Sequence, residues 1–193
     1  MTDEDVRAQL VHYARRAYDR GLVSGPGGNF SARLADPRRM VITASGVSLG
    51  DSAENSLVLV DVETYEYRAP GSCKPSKEFR YHADILRLRP DVGAVLHVHP
   101  PHATAYAVKK RDIPMVTDAA FKQKPIPRVP FAPSGSDQLQ ANVARAIAEH
   151  PGCAILLLEE HGIVTMGPTI VHAFYLADLA EELARIAYLA EHM

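Results

Sequence analysis

Cysteine is scarce in this chain: 193 residues include two, Cys73 and Cys153. Two are too few for a disulfide-stapled scaffold, and neither sits in a Cys-x-x-Cys pair that could hold zinc or run redox chemistry, so a reducing cytoplasm is the expected setting. An excess of positive charge is missing too. A formal net charge of -2 and a sequence pI near 6.5 leave no electrostatic footprint for nucleic acid or for an anionic membrane. The opening residues Thr2, Asp3, Glu4 and Asp5 lack the cationic start and apolar run of a secretory signal. Long apolar stretches are absent as well, since the longest aliphatic run, residues 154–158, falls far short of the roughly 20 residues a membrane-spanning helix needs. No internal repeat, low-complexity segment or domain-separating linker is visible. What remains is 47% hydrophobic and 23% charged, an ordinary globular balance, and residues 1–193 are expected to form a single domain with one core and a small-molecule ligand.

Hydrophobic spacing places a first helix over residues 3–20, where Val6, Leu10, Tyr13 and Ala17 recur at helical intervals between a Thr2 cap and Gly21. Residues 30–34, 40–43, 57–62, 94–99, 154–158 and 163–166 read as strands, and residues 78–89, 102–110, 137–149 and 169–192 as helices, with Ser136 capping the third of these. The proline-rich run 125–133 cannot be an interior helix or a central strand, because each proline removes a backbone donor and fixes φ, so it is expected to be a surface connection. Interleaved strands and helices predict a layered α/β domain around one mixed sheet.

The strongest chemical signal is His97-Val98-His99 within a predicted strand, where side chains at i and i+2 share a face and can converge on one ion. A third ligand must come from elsewhere, and His161, followed by a glycine that would leave room beside the imidazole, is a candidate. The alternative is that two of the 9 histidines fall at this spacing by chance. Glu78 opens a predicted helix, where a carboxylate is an ordinary N-terminal partner for the helix dipole. A role in moving protons would instead require burial and a pKa raised toward neutrality. The turns Gly27-Gly28-Asn29 and Ser45-Gly46 could present backbone amides to a phosphate, with Ser76 and Lys77 adding a hydroxyl and a charge; equally, they are turns like any others.

Taken in order, Gly28-Asn29-Phe30-Ser31, Thr43-Ala44-Ser45-Gly46, Pro75-Ser76-Lys77-Glu78 with His82, His97-Val98-His99-Pro100 and His161-Gly162 resemble the class II aldolase and adducin family. The likeness runs from the first helix to the last and is nearest to the L-fuculose-phosphate aldolase branch and its sugar-acid-phosphate decarboxylase relatives. The resemblance implies a three-layer αβα domain around a mixed, largely antiparallel sheet. It implies that His97, His99 and His161 bind Zn2+, with Mn2+, Co2+ or Ni2+ as other fits, and that Glu78 is both a resting ligand and the acid/base. Gly28, Asn29, Ser45, Gly46 and Ser76 would surround a substrate phosphate, and the protein would be a homotetramer with active sites at subunit interfaces. The implied reaction is cleavage of a carbon-carbon bond in a phosphorylated hydroxy-carbonyl compound through a metal-stabilised enediolate. A decarboxylase on the same site and a non-catalytic, adducin-like interaction domain are the alternatives.

Three features depart from the aldolase pattern. Where a tyrosine serving the aldehyde half is expected, counting from Ile113-Pro114 leads to Thr117 and Asp118. The sequence stops on its last helix, without a further aromatic-bearing tail. Lys77 stands where a second phosphate-binding serine is expected, adding a charge that suits phosphate or a substrate carboxylate. His82 is not expected among the metal ligands, His102 follows the Pro100-Pro101 turn and could reach a substrate, and Tyr106, Tyr175 and Tyr188 are expected to be packing aromatics.

Overall fold

The computed structural model describes residues 2–193. Helix α1 spans Asp3–Asp19 and starts with a capping box, in which the Thr2 hydroxyl accepts from the Asp5 amide (3.1 Å) and the Asp5 carboxylate accepts from the Thr2 amide (2.8 Å). The strands are β1 (Asn29–Arg33), β2 (Arg39–Thr43), β3 (Leu57–Asp61), β4 (Tyr67–Arg68), β5 (Ala94–Val98), β6 (Arg128–Val129), β7 (Ile155–Leu158) and β8 (Gly162–Gly167). Between them come α2 (Phe79–Leu88), α3 (Pro101–Val108), α4 (Asp118–Phe121) and α5 (Asp137–Glu149), and α6 (Ile170–Glu191) follows the last strand.

All eight strands join one sheet in the order β4-β3-β2-β1-β5-β8-β7-β6, with every pairing antiparallel except β6 on β7. The alternating pleat sorts the core into two layers. Phe30, Ala32, Leu96, Val98, Leu157 and Ile163 point to one face, where α1, α3 and α6 cover them. Met40, Ile42, Val95, Leu156, Val164 and Met166 point to the other, beneath α2 and α5. The result is the expected αβα sandwich around a mixed, largely antiparallel sheet.

The long helices and the central strands agree with the sequence reading to within about two residues, the usual uncertainty of element ends. The proline-rich run differs. It lies at the sheet edge, as its prolines require, yet Arg128 and Val129 between them still pair with Leu157 and Leu158. The two-residue β4, the one-turn α4 and two 3-10 turns at Leu49–Asp51 and Glu54–Ser56 carry too little periodicity to be seen in advance. Tyr106 is buried as expected, but Tyr175 and Tyr188 lie on the outer face of α6, 52% and 47% exposed. Among the described residues, no helix is long and apolar enough to cross a membrane.

Candidate active site

The pleat that builds the core also builds the site. His97 lies in β5 on the same side as Val95, and His99 follows just past the strand end, so both imidazoles emerge on the α2 side of the sheet. On the neighbouring strand, Asn29 is in register with His97 and Ser31 with Val95. Their side chains therefore face α2 as well, and Asn29 meets Glu78 while Ser31 meets His82. His161 arrives from the tight turn between β7 and β8, where Glu160 adopts a left-handed backbone (φ 58°). One ring nitrogen each of His97, His99 and His161 lies within 4.8 Å of the others, an arrangement that suits a metal ion.

Hydrogen bonding sets the tautomer at the centre of this group. His97 Nδ1 is 2.8 Å from the Ile163 carbonyl, which can only accept, so Nδ1 carries the proton and the Nε2 lone pair faces the site. His99 Nε2 is 2.9 Å from His97 Nε2, a contact that calls for one proton or one cation between the two nitrogens. Burial, reinforced by like charge on His97, lowers the pKa of His99 to about 3 and that of His161 to about 4. Neutral imidazoles are the form that ligates metals. The glycine after His161 makes room for a different ring than the sequence suggests: a Cβ on Gly162 would lie 2.7 Å from His99 Cδ2, and one on Gly27 would lie 3.1 Å from His99 Nδ1 on the other side.

Glu78 occupies the N-cap position of α2 but makes no side-chain cap hydrogen bond. Its carboxylate turns inward, 4% exposed, with Oε2 3.3 Å from His97 Nε2 and Oε1 3.5 Å from His161 Nε2. Asn29 Nδ2 and the Tyr81 hydroxyl donate to Oε2 (2.9 and 3.0 Å), and the Ser134 hydroxyl donates to Oε1 (2.9 Å). Burial pushes this carboxyl up, but charge on His97 and His161 and the bonds from Asn29 and Ser134 outweigh it and hold its pKa at about 2. Of the two conditions set for a proton-moving role, burial is met and the rise toward neutrality is not, because the carboxylate is buried among donors rather than in an apolar pocket.

A cavity of about 290 Å³ connects these groups to an anion-friendly rim made by Gly28, Ser45, Gly46, Ser76 and Lys77. Gly28 has φ +71°, and a side chain there would come within 2.9 Å of the His97 carbonyl, so glycine is needed both for the turn and for the close approach. The Ser45-Gly46 turn is tied to the Ser76 segment by an Ala44–Pro75 bridge and by bonds from the Ser45 amide to Lys74 O (2.9 Å) and from the Ser76 amide to Thr43 O (3.2 Å). Those two amides are engaged, which leaves the Ser45 and Ser76 hydroxyls and the Lys77 ammonium as the side-chain donors for an anion. Asn29 lines the same cavity, but its amide nitrogen serves Glu78 rather than the rim.

The cavity brings together all ten residues singled out from the sequence. It excludes others. Thr117 caps α4 and Asp118 pairs with Lys122 on the surface. His102 is taken up by Glu181, whose carboxylate accepts from the His102 ring (2.7 Å) and from the amides that open α3. His82 is fully buried against Ser31 and does not join the metal group. Ser134 and Tyr81 were not singled out from the sequence: Ser134 sits in the loop before α5, and Tyr81 lies inside α2 and belongs to none of the motifs. A larger cavity of about 780 Å³ near β4 is lined by Tyr65, Tyr67 and Phe79 with Arg39, Arg68 and Arg80, and includes none of the histidines.

Fold and site together define an α/β scaffold with a histidine group that could hold a metal ion, and residues 8–188 match the Class II Aldolase and Adducin N-terminal domain. The chain belongs to the class II aldolase and adducin family and is an aldolase-type lyase of that family. It is 38% identical over 183 residues to a 5-methylthioribulose-1-phosphate/5-deoxyribulose-1-phosphate aldolase of Rhodospirillum rubrum, covering 93% of this chain and 78% of that one. It is 30% identical over 186 residues to an L-fuculose phosphate aldolase of Methanococcus maripaludis, covering 96% and 97%. Among solved structures, an L-fuculose 1-phosphate aldolase superposes with a TM-score of 0.88 at 27% identity, covering 100% of this chain and 89% of that one. YgbL from Klebsiella pneumoniae superposes with a TM-score of 0.87 at 27% identity, covering 98% and 91%.

Proposed function

We propose that this chain cleaves the carbon-carbon bond of a ketose 1-phosphate, with His97, His99 and His161 holding a Zn2+ ion and Glu78 carrying the proton. The observation that carries this reading is the convergence of three imidazole nitrogens with a buried carboxylate at the foot of a cavity whose rim suits an anion. The donor set fits a divalent cation: neutral imidazoles, one oriented by a backbone carbonyl, and a carboxylate whose ionised form is favoured. When bound, such an ion polarises vicinal oxygens and offsets the negative charge that develops as the bond breaks.

The rim hydroxyls of Ser45 and Ser76, the turn at Gly28 and Gly46, and the Lys77 ammonium bind and orient the phosphate. Its low pKa makes Glu78 a base first: the ionised carboxylate takes the proton of the hydroxyl on the carbon that leaves as aldehyde and then, as a strong carboxylic acid, returns it to the carbon left with the electron pair. Asn29, Tyr81 and Ser134 keep its carboxylate turned toward the histidines. Zinc-loaded protein incubated with 5-methylthioribulose 1-phosphate or L-fuculose 1-phosphate is expected to release dihydroxyacetone phosphate and an aldehyde. Carbon dioxide released from a sugar-acid phosphate, with no aldehyde from either ketose, would replace this reading with the decarboxylase one.

That second reading has a specific basis. Lys77 offers a charge suited to a carboxylate, and neither Thr117 nor Asp118 reaches the cavity to serve a departing aldehyde. The adducin-like alternative, binding without catalysis, predicts metal content that stays sub-stoichiometric after zinc is offered. A single domain, a homotetramer with sites completed at subunit interfaces, and cytoplasmic residence complete the proposal; light scattering of the purified protein tests the assembly.

A further inference from the structure

The two oxygens of Glu78 are held by very different groups. Oε2 accepts from Asn29 Nδ2 and from the Tyr81 hydroxyl, and both donors are buried, at 4% and 2% exposure. Oε1 accepts from Ser134, which lies in an exposed turn. Tyr81 is itself immobilised: it sits one turn along α2 from Glu78, its ring stacks on His82 (4.9 Å between centroids, 26° between planes), and its edge meets His97 at 6.4 Å. His82 is fixed in turn by Ser31 (2.7 Å). A tyrosine clamped on both sides, with its only polar atom aimed at the carboxylate, is more than core filling. The fully buried hydroxyl would otherwise have to go unpaired, at a cost that favours the bond it makes.

We propose that Tyr81 is a positioning residue for Glu78: with Asn29 it anchors Oε2, so that Oε1, whose other partner is the exchangeable Ser134 hydroxyl, is the oxygen that carries the proton. The proposal rests on the reading of Glu78 given above. It assigns Tyr81 a role in orienting the carboxylate and none in touching substrate.

Two measurements test it. In the metal-free protein the shielded Tyr81 hydroxyl proton should give a slowly exchanging NMR resonance, assigned by its loss in Tyr81→Phe. It is expected to shift in Glu78→Gln, where the acceptor becomes neutral; a resonance that does not move, or none in the parent protein, overturns the bond. In turnover of whichever ketose 1-phosphate the parent protein cleaves, Tyr81→Phe is expected to lower kcat about ten- to hundred-fold, the range of a hydrogen bond to a charged group. KM should stay within about two-fold and zinc content should be unchanged. Parent-level kcat in Tyr81→Phe overturns the proposal. Ser134→Ala, which removes the donor to Oε1, is expected to cost less than Tyr81→Phe, and the reverse order would mean that Oε1 is the anchored oxygen. If Glu78→Gln turns over normally, the assignment of Glu78 itself falls; if Glu78→Gln is inert and Tyr81→Phe is fully active, only the present inference falls.

Discussion

Replacing Gly162 by alanine puts one methyl group where two parts of the site already meet. The added Cβ would lie 2.5 Å from the Val98 carbonyl oxygen and 2.7 Å from His99 Cδ2, both well inside normal contact. The carbonyl belongs to β5, which is paired to β8 along its length, so it cannot turn aside without parting two central strands. The His99 ring, with Gly27 close on its other side, would have to shift from its place beside His97 and His161. Overpacking of this kind costs about 1–3 kcal/mol, which for a chain of this size lowers Tm by about 2–12 °C. Displacing one ligand should also weaken zinc binding about ten- to hundred-fold, as disturbances of ligand orientation do. Thermal unfolding of the metal-free protein reads the first effect, and competition against a chromophoric zinc chelator reads the second. Gly27→Ala is the built-in comparison, since its Cβ would stand 3.1 Å from His99 Nδ1 and 3.1 Å from Ser24 O, distances that need shifts of only a few tenths of an ångström. It should weaken zinc binding less and leave Tm nearly unchanged. A Gly162→Ala protein with parent Tm and parent zinc affinity would refute the claim that His99 is wedged against this strand.

Four further outcomes follow from the same geometry. Glu78→Gln should keep the fold and most of the zinc while reducing kcat by at least about a hundred-fold, checked by metal analysis alongside steady-state kinetics. Lys77→Ala should raise KM for a phosphorylated substrate about ten-fold with little change in kcat, since the ammonium is expected to hold the anion in ground and transition states alike; an unchanged KM would leave Lys77 as a surface charge. Chelation should abolish turnover and added Zn2+ should restore it. The metal-free protein should lose stability on acidification: His82, His99 and His161 have pKa values of about 3, 3 and 4 when folded against 6.5 when free, so below about pH 6.5 the unfolded chain binds protons that the folded chain refuses. Glu78, at about 2 against 4.5, adds a loss of the same sign below pH 4.5. The urea midpoint should therefore be lower at about pH 5 than at about pH 7, and an equal or higher midpoint at the acid pH would contradict the burial of neutral imidazoles.

Sequence alone determined the parts of this protein that depend on local spacing. The i, i+2 pair His97 and His99 had to share a face wherever their strand lay, Thr2 and Ser136 could be read as caps from the helices they precede, and the prolines of 125–133 barred that run from the sheet interior. The order of short motifs along the chain was sufficient to indicate the family. Tertiary structure alone decided what depends on neighbours from distant segments. It set Asn29 in register with His97, brought Ser134 onto Glu78 across 56 residues, and wedged His99 rather than His161 against Gly162. The same packing decided the direction of the Glu78 shift, because the number of donors around a buried carboxylate is a property of the assembled site and has no counterpart in the order of residues. Tyr81 shows the division most clearly: nothing in its place along the chain singles it out, and only the fold shows that its hydroxyl ends on the carboxylate assigned to the chemistry.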